Sequence, residues 1–151
     1  MLPGVVAGVV PALIVAGTEE AGLAWSGRTV LGVALVAAGL GLLAQTIALF
    51  ATVGRGTLAP WDPTERLVVH GPYRRTRNPM ISGVLCVLLG EALAFGSWPL
   101  LGWFALVLAV NAVWFPLVEE PGLRRRFGDD YEAYRAAVPR WIPRLRPWRP
   151  S

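Results

Sequence analysis

The sequence has no lysine, one cysteine and one histidine, and its charges are confined to short stretches. Each shortage excludes something. Cys86 alone cannot form an internal disulfide, and inside an apolar run it reads as a small hydrophobe. His70 alone, with no second cysteine or histidine, cannot build a zinc site, so no metal is expected. Residues 2–17, 29–53 and 80–118 hold Glu91 and no other charged side chain. A soluble chain of 151 residues, 54% hydrophobic and 16% charged, would run short of polar surface, so these stretches read as membrane spans. Binding nucleic acid needs a soluble basic face, and none is left over. Neither a P-loop nor a strand leading into Gly-x-Gly-x-x-Gly offers a nucleotide cradle.

The apolar runs divide into four helices. The first covers residues 2–17. The second, 29–53, is rich in the small residues that let helices approach closely, among them Gly32, Gly39 and Gly41. The run 80–118 is too long for one crossing, and "FGSWP" at 95–99 breaks it into spans 80–96 and 99–118. Arginine is concentrated in the loop 54–79 (Arg55, Arg66, Arg74, Arg75, Arg77) and in the tail, whereas the loop 18–28 has Arg28 beside Glu19 and Glu20. Both termini and the middle loop are therefore expected on the cytoplasmic side, in what reads as a prokaryotic inner-membrane protein. Beyond Pro121 the chain should leave the bilayer. Leu123, Phe127, Tyr131 and Tyr134 recur at helical spacing, which predicts an interfacial amphipathic helix. "VPRWIPRLRPWRP" after it is too rich in proline for a helix and predicts an extended strap, with Trp141 and Trp148 at the headgroups. The expected fold class is an all-α integral membrane protein of about four transmembrane helices, forming one domain over residues 1–151, with membrane lipids as partners.

Two polar clusters border these spans. "HGPYRRTRNPM" at 70–80 combines His70, Arg74, Arg75 and Arg77 with the backbone constraints of Gly71, Pro72 and Pro79, and the free N–H groups of the helix that follows suit an anion. Glu119 and Glu120 close the fourth span, where a helix C-terminus disfavours negative charge. Set opposite the arginines, they would make a site with anion-binding and cation-binding ends, matching a zwitterionic ligand that bears an amino acid. Glu91, nearer the other face, reads as snorkelling or structural. Gln45 and Asn111, each about 12 Å from a cytoplasmic helix end by helix rise, are candidates for lining a pocket or for hydrogen bonds between helices.

Two blocks, "GRGTLAPWDPTERLVVHGPYRRTRNPM" and "EEPGLRRRFGDDYEAYRAAVPRWIP", separated by a membrane hairpin, resemble the isoprenylcysteine carboxyl methyltransferase family and its phospholipid methyltransferase relatives over about residues 54–143. The resemblance implies an integral membrane enzyme that binds S-adenosylmethionine at the cytoplasmic face under its C-terminal segment, and methylates a lipophilic acceptor entering from the bilayer. Elements 54–79 and 119–147 would bind the cofactor. His70, Gly71, Pro72, Tyr73, Arg74, Arg77, Asn78, Pro79, Glu119, Glu120, Leu123 and Phe127 would contribute to that site, with Arg77 and Arg74 on the carboxylate, the two glutamates on the ammonium or ribose hydroxyls, and Tyr73, Leu123 and Phe127 flanking the adenine. Arg77, Asn78 and Glu119 would be catalytic, and Gln45, Ile81 and Asn111 would line the acceptor pocket. Where the family reads Arg-His-Pro-x-Tyr, this chain has Arg77, Asn78, Pro79, Met80 and Ile81, a departure that bears on the acceptor. A prenylated thiol compound, its carboxylate, a phospholipid amine, a small thiol or a quinone-like lipid all remain open. Two rivals stand beside this reading: a membrane reductase of the sterol-reductase type using a nicotinamide cofactor, and a non-catalytic membrane scaffold.

Overall fold

In a computed structural model, residues 3–18, 26–52, 67 and 69–149 are described. Residues 54–66 of the arginine-bearing loop, with Arg55 and Arg66, and the acids Glu19 and Glu20 lie outside them. Among the described residues the fold is entirely helical. The helices are α1 (Val5–Ala16), α2 (Gly27–Thr52), α3 (Pro79–Phe95), α4 (Trp98–Trp114) and α5 (Glu120–Ala137), with a short 3₁₀ turn at Gly71–Arg74. The break at "FGSWP" falls where expected: α3 ends at Phe95, Gly96 takes a positive φ of 62°, and α4 begins at Trp98.

Two helical runs are long and apolar enough to cross a membrane, Gly27–Thr52 and Trp98–Ala137; Val5–Ala16 and Pro79–Phe95 are shorter apolar helices. Most of the apolar side chains on the two long runs lie outside the protein core. Val30, Leu31, Val33, Leu40 and Ile47 on α2 are exposed, as are Leu106, Val113, Trp114 and Leu117 further along. The buried core helix of a soluble protein would show the reverse.

The fourth helix does not stop at the paired acids. Trp98–Ala137 is continuous, because a π turn at Phe115–Glu119 carries the chain past Pro116 and Pro121. Proline supplies no N–H and crowds the preceding turn; widening that turn absorbs the misfit without ending the helix. Glu119 and Glu120 are therefore helix-interior residues, not terminal ones. The expected amphipathic helix is present but bent, since the backbone leaves helical geometry at Gly128 (φ 50°, ψ −126°).

The chain forms two compact units: Met1–Gly41 with Ile81–Asn111, and Leu42–Met80 with Ala112–Ser151. In the first unit α2 and α3 cross with backbones in contact. A Cβ on Gly32 would stand 2.5 Å from the carbonyl oxygen of Gly90, and one on Gly39 would stand 2.6 Å from that of Gly83. In α1 a second π turn, Val5–Val9, precedes Pro11; the amide of Val10 bonds to the carbonyl of Val5, and Pro11 has no N–H to offer that of Val6. Trp103 of α4 fills the gap, its indole N–H donating to the Val6 carbonyl at 3.0 Å. Glu91 is half-buried, and its Oε2 is buried without a hydrogen bond among the described residues.

The second unit is built on Tyr131, Tyr134 and Val138, with Leu67, Val69, Leu123, Phe127, Ala137 and Trp148 packed around them. After Ala137 the chain is non-helical through residue 149. The strap is non-helical as expected but bends at 140–142 and 145–146 instead of running extended, and it folds back along the loop that precedes α3.

Candidate active site

The loop before α3 is shaped by its glycine and prolines. His70 is extended, Gly71 takes φ 53°, and Pro72 follows it in the turn Gly71–Arg74; the amide of Tyr73 bonds back to the carbonyl of His70, and those of Arg75 and Thr76, just after the turn, to that of Pro72. A Cβ on Gly71 would also meet Leu49 Cδ1 at 3.0 Å, so dihedral and space both call for glycine. Tyr73 packs edge-on against Phe50 at 5.7 Å, and its carbonyl accepts a 2.6 Å hydrogen bond from the Tyr134 hydroxyl.

Arg77 is the centre. Its amide donates to the carbonyl of Pro139 at 2.9 Å and its Nε to that of Val138 at 2.8 Å. Nη1 reaches Glu120 Oε1 at 2.9 Å and the Tyr131 hydroxyl at 3.4 Å. The same Oε1 accepts from Arg140 Nε at 3.0 Å and Nη2 at 2.7 Å, while Arg135 Nε lies 3.3 Å from Oε2. One buried carboxylate thus meets three guanidiniums, and the network carries surplus positive charge. Nη2 of Arg77 has no hydrogen bond among the described residues. Burial, aided by the charge of Glu119, pushes the Tyr73 phenol up; burial is also the main cause of the raised pKa values of Tyr131 and Tyr134. All three phenols stay protonated at neutral pH, and those of Tyr131 and Tyr134 serve as neutral hydrogen-bonding groups.

The strap is tied to the same loop. Thr76 Oγ1 donates to the carbonyl of Arg140 at 2.8 Å, the amide of Arg144 donates to the carbonyl of Arg75 at 2.9 Å, and Arg74 and Trp148 exchange two bonds: Trp148 N–H to Arg74 carbonyl at 2.8 Å and Arg74 Nε to Trp148 carbonyl at 2.6 Å.

The residues singled out in the sequence are therefore distributed unevenly. Gly71, Pro72 and Tyr73 form the turn, Arg74 and Arg77 hold the strap, Asn78 and Pro79 are buried at the start of α3, and Leu123 and Phe127 pack on the tyrosine core. His70 presents an exposed side chain. The acidic pair splits: Glu120 is buried in the arginine network, while Glu119 is exposed and makes no ion pair among the described residues. Gln45 is exposed on α2, Ile81 is half-buried, and the Asn111 amide donates to its own helix at Val107 O, 2.8 Å away. Sequence reasoning missed Arg135, Arg140, Thr76 and the hydroxyl of Tyr131. Arg140 carried one faint signal: it sits in a tail where no acid follows Glu132.

A family model described as phospholipid methyltransferase matches residues 27–130. The chain belongs to that family. Neither a curated protein nor a solved structure matches it. The family is one of methyltransferases that includes proteins like the isoprenylcysteine carboxyl methyltransferases. The stretch shared with the phospholipid methyltransferase family contains every sequence-predicted site residue from Gln45 to Phe127. Arg135, Arg140 and the strap lie beyond it.

Proposed function

We propose that this chain is an S-adenosylmethionine-dependent methyltransferase, embedded in the membrane by four spans with both termini cytoplasmic, acting at the cytoplasmic face on a lipophilic acceptor. The observation that carries the reading is the family match joined to the Arg77 network. S-adenosylmethionine bears a carboxylate, an ammonium, a ribose diol and a sulfonium. The surplus positive charge around Arg77 suits the carboxylate; Glu119, exposed and without an ion pair among the described residues, suits the ammonium or the ribose hydroxyls. Leu123 and Phe127, half-buried, offer apolar surface for the adenine, with Tyr73 buried in the turn, and Arg74 adds further positive charge. The residues present fit the group, which when bound supplies an electrophilic methyl on the sulfonium.

The remaining work belongs to the chain. Arg77 binds the donor's carboxylate end, and Glu120, buried beneath it, orients the guanidinium instead of touching the ligand. The strap excludes water over the loop, and alignment of acceptor and methyl group accounts for most of the acceleration. Asn78 and Ile81 replace an imidazole and a phenol, so an acceptor that is already anionic, a thiolate or carboxylate, needs nothing more from this position. An amine would have to arrive deprotonated. Gln45, Ile81 and Asn111 remain the candidates for acceptor contacts.

Incubating detergent-solubilised protein with methyl-labelled S-adenosylmethionine and a total lipid extract tests this. A labelled lipid product supports the proposal. Binding of a nicotinamide dinucleotide in place of S-adenosylmethionine would favour the reductase, and binding of neither would leave a scaffold.

A further inference from the structure

The strap has an inner and an outer edge. Its inner edge is committed: main-chain groups of Val138, Pro139, Arg140, Arg144 and Trp148 bond to the loop 74–77. The outer edge is not. Ile142 is 79% exposed and Leu145 94% exposed. Exposed beside them are Arg146 and Arg149, which pair with no acid among the described residues. From residue 133 to 151 the chain has five arginines and no acid.

A single exposed leucine is ordinary. Here two large aliphatic side chains are exposed on a non-helical segment interrupted by Pro143 and Pro147, beside guanidiniums that pair with no acid among the described residues. Apolar groups suited to the acyl boundary and cations suited to phosphate make an amphipathic edge whose complement is a negatively charged amphiphilic surface. We propose that the outer edge of the strap docks on the anionic phospholipid surface of the bilayer, and that docking holds the inner edge closed over residues 74–77. The proposal rests on the reading of the chain as membrane-embedded, though not on its chemistry.

The test uses the full chain in lipid nanodiscs of phosphatidylcholine alone or mixed with phosphatidylglycerol. A nitroxide is placed at Leu145→Cys in a Cys86→Ala background, and its collisions with oxygen, which concentrates in lipid, are compared with those with a water-soluble nickel chelate. In anionic discs the label should be shielded from the chelate and open to oxygen. Removing the phosphatidylglycerol, or adding Arg146→Gln with Arg149→Gln, should lower the ratio of docked to water-exposed strap by on the order of tenfold. A measurement that leaves both cysteine positions native keeps the proposal testable should the labelled variant not fold: brominated phosphatidylglycerol should quench tryptophan fluorescence more in the wild type than in the double arginine variant. A label equally open to the chelate in both lipids, or shielded only after soluble cell protein is added, would overturn the proposal. Failure to enter discs would overturn the membrane reading with it. No donor is needed at any step, so loss of methyltransferase activity would be a separate result.

Discussion

Nη1 of Arg77 lies 2.9 Å from Oε1 of Glu120, with only 9% and 5% of the two side chains exposed. Removing one partner of a buried pair strands the other, at a cost of about 3–5 kcal/mol. Glu120 also anchors Arg140 and Arg135, so Glu120→Gln should destabilise the protein by at least about 3 kcal/mol. Read as an exposed residue at a helix end, the same change should be neutral or stabilising. Glu119→Gln should leave the melting temperature nearly unchanged while lowering S-adenosylmethionine affinity by about one to two decades, the worth of a charge-assisted contact. Thermal melts and donor titrations of both variants decide; equal melting curves would remove Glu120 from its structural role.

Arg77→Lys keeps the charge but not the planar fork. A single ammonium cannot serve the Val138 carbonyl, Glu120 and Tyr131 while leaving a further N–H for a ligand. Both stability and donor affinity should fall, by about 2 kcal/mol or more in stability. Unchanged affinity in a folded Lys variant would place the donor's carboxylate elsewhere.

The glycine crossing of α2 and α3 gives a prediction with its own control. A Cβ at Gly32 or Gly90 would meet backbone at 2.5 Å, which cannot step aside, so Gly32→Ala and Gly90→Ala should each cost about 1–3 kcal/mol. Gly41, on the same helix, has nothing within 4 Å. There alanine should be neutral or stabilising by up to about 1 kcal/mol. If all three variants melt alike in detergent, the close crossing is absent.

Alkali should loosen the second unit. Tyr73, Tyr131 and Tyr134 are held above their ordinary value of 10.0, chiefly by burial. The folded state therefore keeps phenol protons that the unfolded chain releases. This contribution is fully present below about pH 10 and is lost as the pH climbs beyond it. Tyrosinate absorbance should show three late phenols ionising together with unfolding. Early ionisation of all tyrosines in the folded protein would contradict the burial.

Much of the helical architecture was legible because it rests on local composition. Charge-free runs marked the helices, "FGSWP" marked the break between Phe95 and Trp98, and prolines marked the end of α5 and the strap. Gly71 was readable as a special backbone position for the same reason. Pro121 misled: proline ends a helix only when the turn before it stays tight, and here a π turn absorbs it. The site was harder to read, because its bonds are long-range. Glu120 meets Arg77 across 43 positions and Arg140 across 20, and no local spacing encodes which of two adjacent acids turns inward. Arg74 and Arg77 stood out as a cluster, but that their bonds run to the backbone of the strap became visible only once the strap was folded back.

The π turn at Phe115–Glu119 makes the length of the fourth helix as consequential as its composition. Each helical residue advances the chain by about 100°, and the wide turn lodges an extra residue just ahead of Glu120. Deleting a single residue there would restore an ordinary turn and turn every later side chain of the helix by about 100° relative to the part before it, without changing any residue of the network. Mutational scans built from substitutions alone would pass over this dependence. Single-residue deletions and insertions between Asn111 and Glu119 would expose it as a matter of phase.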